Sequence, residues 1–160
     1  MDSYYKSYTK RHKITLHNDN RVLQITDEGL LQMVVDNGHN ATQIELQESI
    51  NPDCMRRSLS LYYNNTKITF NTPHKNEDVQ IYISSNDCSN DYSYCSPYII
   101  EKKINNIAIL NNSFASFALD DYNRNENLPG PIKWWHLNTT INGLKTPKPN
   151  QLFTIKYLSN

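Results

Sequence analysis

Alternation of apolar and polar residues is the feature that most restricts the fold of this chain. In the stretch ATQIELQESI, the apolar residues Ile44, Leu46 and Ile50 occupy even positions, and polar residues lie between them. The stretches SLSLYYNNTKITF, DVQIYIS and QLFTIKYLS repeat the pattern. Successive side chains of a β-strand point to opposite faces of the sheet, so a period of two is typical of strands with one buried face. The sequence therefore predicts antiparallel β-structure.

Asparagine pairs separate several of these alternating segments. Asn64-Asn65 lies between two alternating runs, while Asn105-Asn106 and Asn111-Asn112 bracket a short apolar segment. The chain has 22 asparagines but only four glycines. Asparagine tolerates the positive φ angles that a two-residue hairpin turn requires. We therefore expect Asn64-Asn65 and Asn105-Asn106 to form hairpin tips with positive φ.

The segment 29–36, within GLLQMVVDNG, is compatible with two kinds of secondary structure. Leu30, Leu31, Val34 and Val35 fit the spacing of a helix, whereas alternate residues from Leu31 fit a strand. Adjacent β-branched valines and the shortness of the segment favour the strand.

About ten strand candidates separated by polar turns predict an all-β fold. We expect one antiparallel domain over 1–160, a sandwich or a barrel, with a β-trefoil as the second choice. A length of 160 residues is usual for a single domain. The basic, tyrosine-rich segment 1–13 is interpreted as an N-terminal arm packed back on the body.

The charge and the apolar content of the chain bear on its partners. Sixteen basic residues balance 16 acidic residues, so no nucleic-acid partner is expected. No apolar stretch approaches the roughly 18 residues that span a bilayer, so no membrane span is expected. The sequence as written carries no secretory signal, which predicts an intracellular protein, or a secreted one if a signal was removed. Asparagine, isoleucine, lysine and tyrosine are frequent and have AT-rich codons, which indicates a low-GC genome such as that of a large DNA virus, a low-GC bacterium or an amoeba.

The three cysteines, an odd number, leave their redox state open. A disulfide between Cys88 and Cys95 would close a short loop. The absence of a secretory signal favours free thiols, and the disulfide is kept as the alternative.

The sequence contains no recognisable catalytic or metal-binding motif. Nucleophile-elbow, phosphate-loop, dinucleotide-binding and zinc-protease motifs are missing, and the five histidines are scattered. Asp120 and Asp121 are neighbours in sequence rather than a pair across a cleft, which does not suggest acid–base catalysis. We therefore predict no catalytic residue, no metal ligand and no cofactor, and an enzyme with a dispersed site is the least favoured reading.

The stretch GPIKWWHLN places the two tryptophans of the chain side by side. On a strand, Trp134 and Trp135 must point to opposite faces, so they cannot enter the same core. Trp134 is predicted to point inward because it shares its face with Ile132, which leaves Lys133 and Trp135 on the outer face.

The outward tryptophan is the candidate centre of a contact surface, and the alternative is that a loop or a second sheet covers it. Pro129 and Pro131 near the start of this segment predict an edge strand, because proline cannot donate to a β-ladder. Exposed aromatic residues beside basic ones are typical of contact points for partners. The candidate binding residues are Tyr122, Lys133, Trp134, Trp135 and His136.

These observations predict a non-catalytic binding module that recognises a protein surface or a glycan. The alternative is a structural protein that assembles with copies of itself, such as a capsid, fibre or inclusion subunit, since a net charge near zero removes one barrier to association.

Overall fold

The computed structural model describes the following parts of the chain: residues 11–51, 56–71, 75–83, 94–95, 98–103, 106–111, 117–126, 128–139, 142–143 and 145–159. The predicted arm is described only at Arg11–Lys13, which belong to the first strand. Cys54 and Cys88 lie outside the described residues, so free thiols stay the prediction and a disulfide between Cys88 and Cys95 stays the alternative.

The structure is built from strands and short turns, which confirms the all-β prediction. The strands are β1 (Arg11–Asn18), β2 (Arg21–Ile25), β3 (Leu31–Val35), β4 (Ile44–Asn51), β5 (Arg56–Tyr63), β6 (Thr66–Asn71), β7 (Glu77–Asp78), β8 (Ile81–Ile83), β9 (Tyr94–Cys95), β10 (Tyr98–Lys103), β11 (Ile107–Asn111), β12 (Phe117–Asp121), β13 (Gly130–His136), β14 (Asn138–Thr139), β15 (Lys145–Thr146) and β16 (Phe153–Tyr157). Two short 3-10 helices, Arg124–Glu126 and Pro149–Gln151, complete the described elements. No helix among them is long and apolar enough to cross a membrane. The strands outnumber the ten predicted mainly because four of them, β7, β9, β14 and β15, have only two residues and are too short to show alternation.

The main sheet is antiparallel and curls into a half-barrel. Its strands follow the order β10-β11-β12-β13-β3-β2-β1-β4-β5-β6-β8. The strand β16 pairs with both β1 and β11, so it links distant parts of this path. The apolar residues of the alternating segments converge inside the curve, where Leu46, Leu61, Phe70 and Phe153 belong to one buried cluster.

This core is closely packed. A void of about 10 Å³ lies among aliphatic and aromatic side chains, Leu16, Leu23, Ile44 and Phe70 included. A buried water needs roughly 10–15 Å³ and two to four polar partners, and this lining is apolar. The void is therefore a packing gap rather than a ligand pocket.

Two of the sequence-based local predictions are confirmed by the backbone. Asn64 and Asn65 have φ angles of 50° and 65°, and Tyr63 pairs with Thr66 across them, as in a two-residue hairpin turn. Asn106 has a φ of 60°, while Asn105 lies outside the described residues. The segment 31–35 is strand β3 rather than a helix.

The predicted edge position of the tryptophan strand is wrong. Strand β13 lies inside the sheet, with β12 on one side and β3 and β7 on the other. Pro131 pairs with Gln32 of β3, and at Lys133 and Trp134 the neighbour is β7. Proline has no backbone N–H to donate. Pro131 lies where pairing of β13 with β3 ends and pairing with β7 begins, so the missing donor falls at a break in the ladder.

Candidate functional site

The two tryptophans of β13 lie on opposite faces of the sheet, as predicted. Trp134 is fully buried in the main core, where its ring meets Phe70 edge-on with 6.1 Å between ring centroids. Its indole N–H donates to the backbone oxygen and to Oδ1 of Asn71, both at 3.1 Å. Trp134 is therefore a core residue, and its side chain is withdrawn from the outer face where a partner would bind.

Trp135 forms an aromatic pair with Tyr122 on the outer face. Trp135 is half-buried, and 48% of Tyr122 is exposed. Their ring centroids lie 5.2 Å apart with a tilt of 36° between the planes. The residue opposite Trp135 in the β12–β13 ladder is the small, buried Ala118. We call Tyr122, Trp135, Lys133 and Lys148 the aromatic patch.

Each ring of the patch carries a lysine ammonium near its face. The Nζ atom of Lys133 lies 5.0 Å from the Tyr122 centroid and 3.2 Å from Oδ1 of Asp78. The Nζ atom of Lys148 lies 5.2 Å from the Trp135 centroid. Both distances fall within the roughly 6 Å range of a cation–π interaction. The rings and the ammonium groups therefore form one mixed aromatic and charged surface.

A buried carboxylate lies beneath this surface. Asp120 is opposite Lys133 in the ladder, and its side chain is only 2% exposed. Its Oδ2 has no hydrogen-bond partner among the described residues, and the Lys148 Nζ lies 3.7 Å from it. Burial raises the pKa of Asp120, an effect that the charge of Lys148 and a hydrogen bond from Asn150 partly oppose. Within the described part of the chain, this oxygen thus lacks the hydrogen bond that most buried polar atoms have.

The segment that carries Lys148 is tied firmly to the sheet. The side chain of Gln151 is buried; its Oε1 accepts from the Lys148 N–H at 3.1 Å. Its Nε2 donates to the backbone oxygens of Trp135 and His136 at 3.3 and 3.1 Å. From the end of β1, the Asn18 side chain donates to the backbone oxygens of Pro149 and Leu152, at 2.8 and 2.9 Å. The backbone at Lys148 is thus held in place, while the tip of the side chain reaches over Trp135.

His136, also predicted as a binding residue, is turned away from the patch. Its ring stacks on Phe117, with 4.7 Å between centroids and 19° between planes. Since it neighbours Trp135 along the strand, it points to the opposite face. The structure thus brings together Tyr122, Lys133 and Trp135 and separates Trp134 and His136 from them.

The second carboxylate of β12 has a different role. Asp121 and Arg21 are both fully buried, and Arg21 donates to Oδ2 and Oδ1 of Asp121 at 2.8 and 3.1 Å. Arg21 also donates to the backbone oxygens of Leu128 and Met33. Burial raises the pKa of Asp121, whereas the hydrogen bonds and charge of Arg21 lower it. This pair links two distant segments of the fold and faces the core rather than solvent.

The sequence-based reading missed Lys148 and the burial of Asp120. The sequence signal for Asp120 was its place in the strand segment FALDD, where alternation sets Asp120 and Asp121 on opposite faces of the sheet. No local pattern marked Lys148, which reaches Asp120 only through the fold. Among the described residues, no three His, Cys, Asp or Glu side chains lie close enough together to hold a metal ion.

No protein-family model matches this chain, and no curated protein sequence matches it. The geometry of the aromatic patch and of Asp120 beneath it is therefore the basis for a functional interpretation.

Proposed function

We propose that this protein is a non-catalytic binding module and that the aromatic patch is its contact surface. The observation that carries the proposal is the Tyr122–Trp135 pair, two adjacent and partly exposed rings on the outer face of the sheet. Tyrosine and tryptophan contribute large contact areas at little cost in side-chain entropy, and they are enriched among residues that dominate binding energy.

The rigidity of the patch supports this proposal. Trp135 belongs to an interior strand, and Tyr122 directly follows β12, the neighbouring strand. The segment carrying Lys148 is fixed by Gln151 and Asn18. A surface that is already ordered loses less conformational freedom on binding, so more of the contact energy contributes to affinity.

The charges of the patch favour a protein surface over a glycan as the partner. Two ammonium groups and a carboxylate lie within the immediate surroundings of the two rings. Such charges complement the charged side chains of a protein surface and help to select the correct partner. A neutral sugar offers hydroxyl groups and C–H bonds but no charge with which these groups could form an ion pair.

The test uses a displayed library of random peptides selected for binding to the wild-type protein. We expect the selected peptides to lose at least about tenfold in affinity, about 1.4 kcal/mol, for Trp135→Ala and for Tyr122→Ala. The matched control is Tyr157→Ala, which removes a tyrosine of similar exposure on β16, a strand outside the patch. Its affinity for the same peptides should stay unchanged.

Peptide affinities that are the same in wild type and in both patch variants would contradict the proposal. A glycan array probed with the same variants separates the two partner classes, since patch-dependent glycan binding without patch-dependent peptide binding would identify a glycan. Light scattering of the wild type and Trp135→Ala addresses self-assembly. If the wild type has a mass above that of the monomer and Trp135→Ala has the mass of the monomer, the partner is a second copy of the chain.

A further inference from the structure

The Lys148 ammonium occupies a small site made by one carboxylate and one indole ring. Its Nζ lies 3.7 Å from Oδ2 of Asp120 and 5.2 Å from the centroid of Trp135. The first distance is within ion-pair range but longer than a hydrogen bond, and the second is within cation–π range. The site therefore attracts a cation without binding this one closely.

Asp120 has hydrogen-bonding capacity that the described part of the chain does not use. Its side chain is 2% exposed, and its Oδ2 has no hydrogen-bond partner among the described residues. A buried carboxylate oxygen without a donor is costly, because water can no longer solvate it. An ammonium group placed about 1 Å closer would donate to this oxygen and remove that cost.

Lys148 can leave the site without a change in the backbone. Its side chain is 41% exposed, so water can solvate the ammonium when it swings outward. Its backbone N–H remains bound to the Gln151 side chain in either position of the ammonium. Exchange of Lys148 for another cation therefore requires a rotamer change only.

The chemistry of the site selects for an alkylammonium group. A carboxylate together with an aromatic face is a typical arrangement for ammonium recognition, and the carboxylate repels anions. The adjoining Tyr122 ring extends the apolar wall along which the methylene stem of a lysine could pack.

We propose that Asp120 and Trp135 form a subsite for a primary alkylammonium group, and that Lys148 fills it until a lysine of the partner protein replaces it. The identity of the partner as a protein rests on the proposed function, whereas the ammonium subsite can be tested with a small molecule.

The test compares two small molecules, Nα-acetyl-lysine methylamide and Nα-acetyl-norleucine methylamide, which differ in the terminal ammonium. Binding is followed through the indole N–H signals of Trp134 and Trp135 in ¹H–¹⁵N spectra. In the Lys148→Met variant, which keeps an apolar side chain but removes the internal cation, we expect the lysine compound to bind at least tenfold more tightly than in the wild type. The norleucine compound should show no such gain.

Two further variants locate the binding site. Adding Asp120→Asn to Lys148→Met should abolish the gain, because the amide keeps the shape of the carboxylate but not its charge. The matched control is Lys156→Met, which removes an exposed lysine of β16, outside the patch, and should leave the affinity of the lysine compound within about threefold of the wild type. If Asp120→Asn does not fold, Trp135→Leu in the Lys148→Met background provides the same test through the ring.

Equal affinity of wild type and Lys148→Met for the lysine compound would overturn the inference, and so would equal affinities for the two compounds in Lys148→Met. Retention of the gain in both the Asp120→Asn and the Trp135→Leu backgrounds would overturn it as well. These outcomes are separable from failure of the proposed function. If the patch binds peptides that contain no lysine, only the proposed ammonium subsite is contradicted. If the lysine compound binds as expected but Trp135→Ala and Tyr122→Ala leave the peptide affinities unchanged, only the proposed contact surface is contradicted.

Discussion

The two faces of the β12–β13 ladder carry the same kinds of side chain in different environments. The inner face has Trp134 and Asp121, and the outer face has Trp135 and Asp120. On the inner face, the indole N–H has two acceptors and both carboxylate oxygens accept from Arg21. On the outer face, the indole is half-buried and one carboxylate oxygen has no donor among the described residues.

This difference separates a structural role from a binding role. Polar groups whose hydrogen bonds are complete stabilise one arrangement and have little left to offer a ligand. A buried group with unused capacity lowers stability unless something else, such as a partner, completes it. The inner face thus accounts for the fold, and the outer face is the better candidate for function.

Removal of each tryptophan should give the largest contrast between the faces. Trp134→Ala should lower the free energy of unfolding by about 3–5 kcal/mol, because it leaves a cavity in the core. Trp135→Ala should cost less, at most about 1–2 kcal/mol, since the ring is only half-buried and lies outside the main buried cluster. Urea unfolding followed by circular dichroism measures both. Equal losses would mean that the outer ring is as structural as the inner one.

Removal of each carboxylate charge should give the next largest contrast. Asp121→Asn should cost about 3 kcal/mol, because it leaves the Arg21 guanidinium buried without its counter-charge. The loss stays near the lower end of the usual range because Arg21 keeps two backbone acceptors, Leu128 and Met33. Asp120→Asn, the matched change on the outer face, should be neutral or slightly stabilising at pH 7. A similar loss in both variants, measured by urea unfolding, would contradict this difference.

The sequence was sufficient to predict the elements that depend on local pattern. Alternation around Leu46, Leu61 and Phe153 predicted the strands and their buried faces, and Asn64-Asn65 predicted a hairpin turn with positive φ. The inward orientation of Trp134 followed from the period of two that it shares with Ile132. Each of these properties is set by residues a few positions apart.

The candidate site depended on long-range contacts and could be predicted only in part. Tyr122, Lys133 and Trp135 were identified because aromatic and basic residues cluster in that part of the sequence. The partner of Asp121 lies 100 residues away in sequence, at Arg21. Lys148 meets Asp120 only because Gln151 ties its segment to β13. The interior position of β13 was missed for the same reason, since β3 and β7 come from distant parts of the chain.

The smallest expected effect concerns the pH dependence of the outer carboxylate. Burial raises the pKa of Asp120 in the folded protein above that in the unfolded chain, where an aspartate titrates near pH 3.9. The folded state therefore binds this proton more readily, and the contribution of Asp120 to stability should increase as the pH falls through the folded pKa toward the unfolded value. The ionised form is correspondingly unfavourable at neutral pH.

The measurement is the difference in unfolding free energy between wild type and Asp120→Asn, followed from about pH 7 to about pH 4. We expect the wild type to gain on the variant as the pH falls, by about 1 kcal/mol or less. The pKa of the buried His17 is lowered, so its contribution to stability decreases as the pH falls. This contribution is the same in both proteins and cancels in the difference between them. Addition of Lys148→Met to both proteins should enlarge the effect, because the Lys148 charge lowers the pKa of Asp120. If the wild type instead loses stability relative to Asp120→Asn as the pH falls, Lys148 already holds the Asp120 carboxylate ionised. The polar groups of the outer face would then be paired as fully as those of the inner face.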